Sequence, residues 1–238
     1  RGSDPAVSAF MNYLEKLRLD RIGSAIRNGV TRAVPIKPRR IKLSAPIASF
    51  TFDDFAKSAW KRGGKLVESY GARATYYVAG GLCGRMNDNI RCYDEDDLTA
   101  LVAAGHEVGC HTFDHAAIPA LDNSQIETTL DRNADYIARI AGRTSMTSFA
   151  YPFGLASVSG KRFLSSRFLA CRGIYPGVNV GWTDFAQLNA ISLHRVPALS
   201  LRPYVERAVS QGGWIIFVGH DVADVPSPFG CTPQVLEH

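Results

Sequence analysis

Three short stretches gather side chains that bind metals or move protons: adjacent carboxylates in "TFDD" (Asp53, Asp54), paired imidazoles in "HTFDH" (His111, His115), and His220 in "FVGHD". Histidines four apart lie on one side of a helical turn, a spacing suited to one shared metal ion. Two nitrogens need at least one more ligand. A carboxylate from another strand end would complete a two-histidine, one-carboxylate face with positions left for water and substrate, and Asp54 is the natural donor. Each motif also has a plainer reading. The histidines can be surface or capping groups, and His220 a core histidine bonded to backbone. Either aspartate can cap the helix that begins near Ala56. A cap employs one aspartate and leaves its neighbour without a task.

These residues follow apolar runs, so the elements that carry them can be read from the pattern. Strand "IASFTF", helix Ala56–Tyr70, strand "RATYYVA", helix Glu95–Ala104 and strand "HEVGCHT" alternate in the manner of parallel βα units. A helix over about Gln125–Ile140 is signalled by Ser124 and Glu127 at capping-box spacing, with a glycine stop at "AGR". Strands "SMTSFAYPFG", "FLACRGI", "ISLHRVPA" and "GWIIFVGHDV", with a helix over Tyr204–Gln211 before the last, complete the series. Seven or so such units fit an α/β open sheet or barrel, and in both the chemistry gathers at the strands' C-terminal ends.

With 238 residues, 46% of them hydrophobic and 21% charged, the chain can bury one substantial core. Residues 1–46 stand apart: apolar positions from Ala6 to Asn28 keep a helical period, and the Pro- and Arg-rich stretch Val34–Pro46 reads as an extended connector to a domain over residues 47–238. "RGSDP" reads as vector residue. Thr232 and Pro233 mark a terminal helix cut short. The net charge of +5 is concentrated around "IKPRRIK" without interleaved aromatics, so no nucleic-acid partner is expected. Five cysteines without a CxxC pair argue against a zinc ribbon; Cys83 and Cys92 flank one loop and either pair or remain free thiols. No window reaches the roughly 20 apolar residues of a membrane span. Location stays open between cytoplasm and, after removal of a signal, periplasm or exterior, as does the oligomeric state.

The ordered set "TFDD", "HTFDH", "YPFG" and "VGHD" resembles the polysaccharide deacetylases of the NodB homology type, carbohydrate esterase family 4, from Ile47 to the C-terminus. The resemblance implies a distorted (β/α)7-type barrel and a hydrolase that removes acetyl groups, N-acetyl before O-acetyl, from an acetylated glycan. It also implies that Asp54, His111 and His115 hold a divalent metal, usually zinc, with cobalt, nickel or manganese as alternatives, while Asp53 acts as base and His220 as acid. The Phe153 N–H in "YPFG" would hold the oxyanion, next to Tyr151, and Ile216 and Val218 would shape a pocket for the acetyl methyl. Both aromatic side chains are expected to pack. Thr112 and Asp114 are expected to orient the histidines or cap their turn.

Two departures stand out. The family's third motif usually begins with an arginine that pairs with the base, and Ala150 occupies that place. Phe55 replaces the glycine that commonly follows the two aspartates, and its bulk is expected to narrow or redirect the groove. Arg172, Asn179, Trp182 and Asp184 are the candidates to supply the missing arginine and the missing partner of the acid histidine. The competing readings are a hydrolase of a small cyclic amide and a non-catalytic glycan-binding protein of the same fold.

Overall fold

The structure, a computed structural model, describes residues 29–142, 146–194 and 200–238. The chain divides after Pro35. In the shorter unit residues 29–33 are helical, and the Val34 N–H donates to the Val30 carbonyl. The amphipathic helix expected over Ala6–Asn28 lies outside the described residues, as does part of "ISLHRVPA".

The longer unit, Ile36–His238, contains β1 (Pro38–Ile41), β2 (Ile47–Asp53), a π-helical segment (Ala59–Gly64) running into α1 (Lys65–Ser69), and β3 (Thr75–Val78). Next come the short β4 (Met86–Asn87) and β5 (Ile90–Arg91), α2 (Glu95–Ala103), β6 (Glu107–Cys110) and α3 (Asn123–Ala141). They are followed by β7 (Ser148–Ala150), α4 (Val158–Arg167), β8 (Ala170–Arg172), β9 (Gly181–Asp184), β10 (Ile191–Ser192), α5 (Arg202–Gln211), β11 (Trp214–Gly219) and α6 (Pro233–Glu237).

Seven strands form one sheet in the order β10-β11-β2-β3-β6-β7-β8, every pair parallel. The sheet curls until its edges are bridged by residues 188–193. Leu188 exchanges backbone hydrogen bonds with Cys171 and Gly173 beside β8, and the Leu193 N–H donates to Val218 on β11. This is a distorted (β/α)7-type barrel. Because all seven strands run the same way, their C-terminal residues share one end of it.

Alternation along the strands sorts the side chains. Ile215 and Phe217 join the main core outside the sheet, whereas Ile216 and Val218 pack inside with Leu188 and Ala190. Inside, Gly109 leaves room for Tyr77: a Cβ there would stand 2.5 Å from the tyrosine ring. The sequence placed most of these elements but not the β4–β5 hairpin, β9 or the π-helical segment, and it misread two further details. The capping box of α3 is made by Asp122 and Gln125, not Ser124 and Glu127, because Asp122 sits in extended backbone and its carboxylate accepts from the Gln125 N–H. Pro38–Ile41 of the expected connector is a strand, paired antiparallel with β9. At the end, Thr232 caps α6 with Pro233 in its first turn, as its residues suggest. All five cysteines, Cys83 and Cys92 among them, are free thiols.

Candidate active site

β2 delivers Asp53 to the barrel's C-terminal end, and the backbone then turns sharply. Asp54 and Phe55 both adopt positive φ, 60° and 49°. Such a conformation is uncommon outside glycine and is held here by its surroundings. The Tyr93 N–H donates to the Phe55 carbonyl, and the two rings stack with centroids 4.5 Å apart. Phe55 is fully buried in the core. The expectation that it narrows the groove is therefore corrected: its side chain points away from the cavity, into an aromatic cluster with Tyr76 and Tyr93. The turn sends the two carboxylates in different directions, and neither serves as a helix cap. The helical backbone that follows begins at Lys57, beyond both, and its π-helical part has no side-chain cap.

His111 follows β6 directly, and its Nδ1 bonds the Ala150 carbonyl at 2.8 Å, which leaves Nε2 free to face the cavity. The "HTFDH" segment is a loop, not the helical turn suggested by its spacing, with Thr112 and His115 at positive φ. Thr112 Oγ1 accepts from the Ala116 N–H, while Asp114 pairs with Arg132 and meets Thr129. The loop rather than a helix thus brings the imidazoles together, with ring centroids 5.0 Å apart.

Asp54 Oδ1 lies 3.2 Å from His115 Nε2 and 3.5 Å from His111 Nε2. Donors bound tetrahedrally to zinc at about 2.0–2.2 Å stand about 3.3–3.6 Å from one another. Among the described residues these three form the group able to hold a metal ion, and buried Asp54 Oδ1 has no hydrogen-bond partner. Burial pushes Asp54 up to about 6, with Asp53 adding to the rise. Burial also drives His111 down to about 3 and lowers His115. Neutral imidazoles and an unsatisfied carboxylate oxygen are the donor set a divalent cation requires, so the residues fit.

Asp53 has the opposite environment. Burial by itself would raise its carboxyl, but the Arg172 guanidinium, with His111 and His220 behind it, outweighs that and holds the group below the usual range. Arg172 ends β8, is itself 1% exposed, donates through Nη2 to Asp53 Oδ1 and through Nη1 to the Gly173 carbonyl, and lies over the Tyr77 ring. Ala150 and Arg172 are register partners on β7 and β8, so they share the interior face. The small alanine leaves space, and the arginine arrives from one strand further along.

His220 follows β11 with Nε2 4.0 Å from Asp54 Oδ2, its ring beside Phe229 and His194. The cavity is about 100 Å³ and is lined by Asp53, Asp54, His111, His115, Val218 and His220, among others. Phe153 also lines it: the residue has φ 58° and is 57% exposed, and its ring centroid lies 4.4 Å from that of His115. The packing role expected for the Phe153 side chain is thus not what is found. Tyr151 does pack, buried with its hydroxyl donating to the Ala186 carbonyl.

Other sequence candidates lie elsewhere. Ile216 is buried inside the barrel and does not line the cavity. Asn179 ties the Asn189 and Trp214 carbonyls, Asp184 pairs with buried Lys161, and Trp182 is exposed on the β1–β9 ribbon. Sequence reasoning did not single out Asn87, Asp88, Ser192, His194 and Phe229. Four of these line the cavity, and Asn87 touches Asp54. The turn signal in "NDN" was the one local cue to the first two.

Residues 40–165, more than half of the chain, match the polysaccharide deacetylase family, and the chain belongs to it. No curated protein sequence matches. Among solved structures, a family 4 acetyl xylan esterase from Clostridium thermocellum, in complex with a cobalt ion, is 23% identical, with a TM-score of 0.54 over 80% of this chain and 80% of its own. A deacetylase solved with substrate is 22% identical, TM-score 0.54, covering 81% and 83%. A CE4 family pseudoenzyme from Bacillus anthracis is 16% identical, TM-score 0.52, covering 82% and 59%. At these identities the likeness is one of fold.

Proposed function

We propose that the protein removes acetyl groups, N-acetyl in the first place, from a glycan. The observation that carries this reading is the division of the aspartate pair: Asp53 is held charged by Arg172, while Asp54 presents a bare oxygen to two neutral imidazoles. Asp54, His111 and His115 would hold a divalent ion, zinc first, which when bound supplies Lewis-acid polarisation of the acetyl carbonyl and acidifies water. Asp53, kept ionised, accepts the proton of the attacking water. The Phe153 N–H donates to the oxyanion that develops on the carbonyl oxygen. His220, across the cavity, gives the departing amine its proton from Nε2. Val218 offers an apolar wall to the acetyl methyl.

The form of the surface supports a glycan over a small cyclic amide. The cavity of about 100 Å³ suits an acetyl group, and through Asp88 it adjoins a groove of about 620 Å³ where neighbouring sugars fit. Arg172 also weakens the argument for a non-catalytic binder, because that argument rested on a missing arginine. The test is acetate release from acetylated chitin, xylan and peptidoglycan fragments by zinc-loaded protein. Release should stop on chelation and return with zinc. Release that persists after chelation, or that is undiminished in Asp53→Asn, overturns the reading.

A further inference from the structure

The hairpin formed by β4 and β5 is joined to the aspartate turn at several points. Its two-residue turn, Asp88 and Asn89, has φ of 47° and 63°, a left-handed pair that Asp and Asn tolerate. At its base the Cys92 N–H donates to the Arg85 carbonyl and the Gly84 N–H to the Tyr93 carbonyl. Tyr93 in turn donates to Phe55, and Cys92 bridges Ala56, so the hairpin is fastened to the residues that follow Asp54. From this frame Asn87 reaches Asp54: its Nδ2 donates to Oδ2 at 3.0 Å. An ionised carboxylate only accepts, so the amide must present its nitrogen.

We propose that Asn87 is a positioning residue that makes Asp54 a one-oxygen metal ligand. This rests on the metal site of the proposed function. With Oδ2 engaged by the amide, Oδ1 alone faces His111 and His115, 3.5 and 3.2 Å from their Nε2 atoms. A carboxylate released from Asn87 is free to turn and offer both oxygens, and the second would take a position that water or substrate needs at a catalytic site. Removal of groups that orient metal ligands typically weakens metal affinity 10- to 100-fold.

The experiment uses the ion-free full chain and two probes. Zinc affinity is measured by calorimetry, and the visible spectrum of the cobalt-loaded protein reports coordination number. Asn87→Leu, similar in size but without a donor, should bind zinc about 10-fold more weakly and show a cobalt spectrum shifted toward higher coordination. Met86→Ala, at an exposed position of the same hairpin, should match the wild type in both. Should the leucine variant melt early, Asn87→Ser, too short to span to Asp54, replaces it. Wild-type affinity together with an unchanged cobalt spectrum overturns the inference while leaving the functional reading intact. If the wild-type chain takes up no zinc, the functional reading fails and the inference falls with it.

Discussion

Asp53 and Asp54 are joined by one peptide bond yet belong to two regions with opposite electrostatics. The Asp53 side is closed: a buried guanidinium answers its charge, and the carboxyl is held low. The Asp54 side is open: among the described residues its Oδ1 has no hydrogen-bond partner, the imidazoles it faces are neutral, and burial lifts it to about 6. One side is complete as folded, whereas the other is a donor set able to hold a cation. The backbone makes the division, since the left-handed turn at Asp54 aims two consecutive carboxylates at different neighbours.

The comparison breaks first, and most severely, at the open side. Asp54→Ala should abolish zinc uptake measured by calorimetry and reduce acetate release to background, because two imidazoles alone hold zinc poorly. Asp53→Asn should leave zinc affinity unchanged and lower kcat/KM by about 10²–10⁴-fold, the usual worth of a general base. Loss of zinc in that variant would show that the two sides are not separate.

A smaller loss at neutral pH is expected from Arg172→Met, with a distinctive pH signature. The arginine holds Asp53 low, so its removal raises the carboxyl, the base takes up its proton at higher pH, and the acid limb of the kcat/KM profile moves upward. Asp53→Asn should erase that limb. The complementary variant, Ala150→Arg combined with Arg172→Ala, sharpens the point: the two positions are register partners, and recovery of activity would show that either strand end can supply the cation.

The smallest effect on turnover is expected outside the site. Buried Lys161 pairs with half-buried Asp184, and Asp184 also accepts from the Ile36, Lys37 and Ala186 N–H groups. Asp184→Asn removes the charge that faces Lys161 and should destabilise the fold by about 2 kcal/mol, the usual worth of a charge-assisted hydrogen bond, with turnover per folded molecule unchanged. Asp184 is held below its ordinary value of 3.8. Its stabilisation is therefore present above that value and lost as pH falls through the lower folded one, so melting curves of variant and wild type should converge in acid.

Much of the fold was legible because burial writes a period into the chain. Alternating strands and helices from Ile47 onward, and polar residues at strand ends, were enough to locate Asp53, Asp54, His111, His115 and His220. Short-range detail was less legible. Ser124 and Glu127 mimic a capping box two residues away from the one formed, and four-residue spacing between histidines suits a helix as readily as the left-handed loop that exists. The side-chain direction of Phe55 was not legible either, because a positive φ at a phenylalanine is decided by the aromatic neighbours that receive it.

Residue pattern alone sets the succession of parallel βα units and the set of reactive side chains, since hydrophobic period and residue type are local properties. Their partners, and the curling of the sheet into a barrel, come from the folded chain. Arg172 reaches Asp53 across 119 positions and Asn87 reaches Asp54 across 33. Both contacts depend on strand register and barrel curvature, which set distances between residues that no local pattern relates.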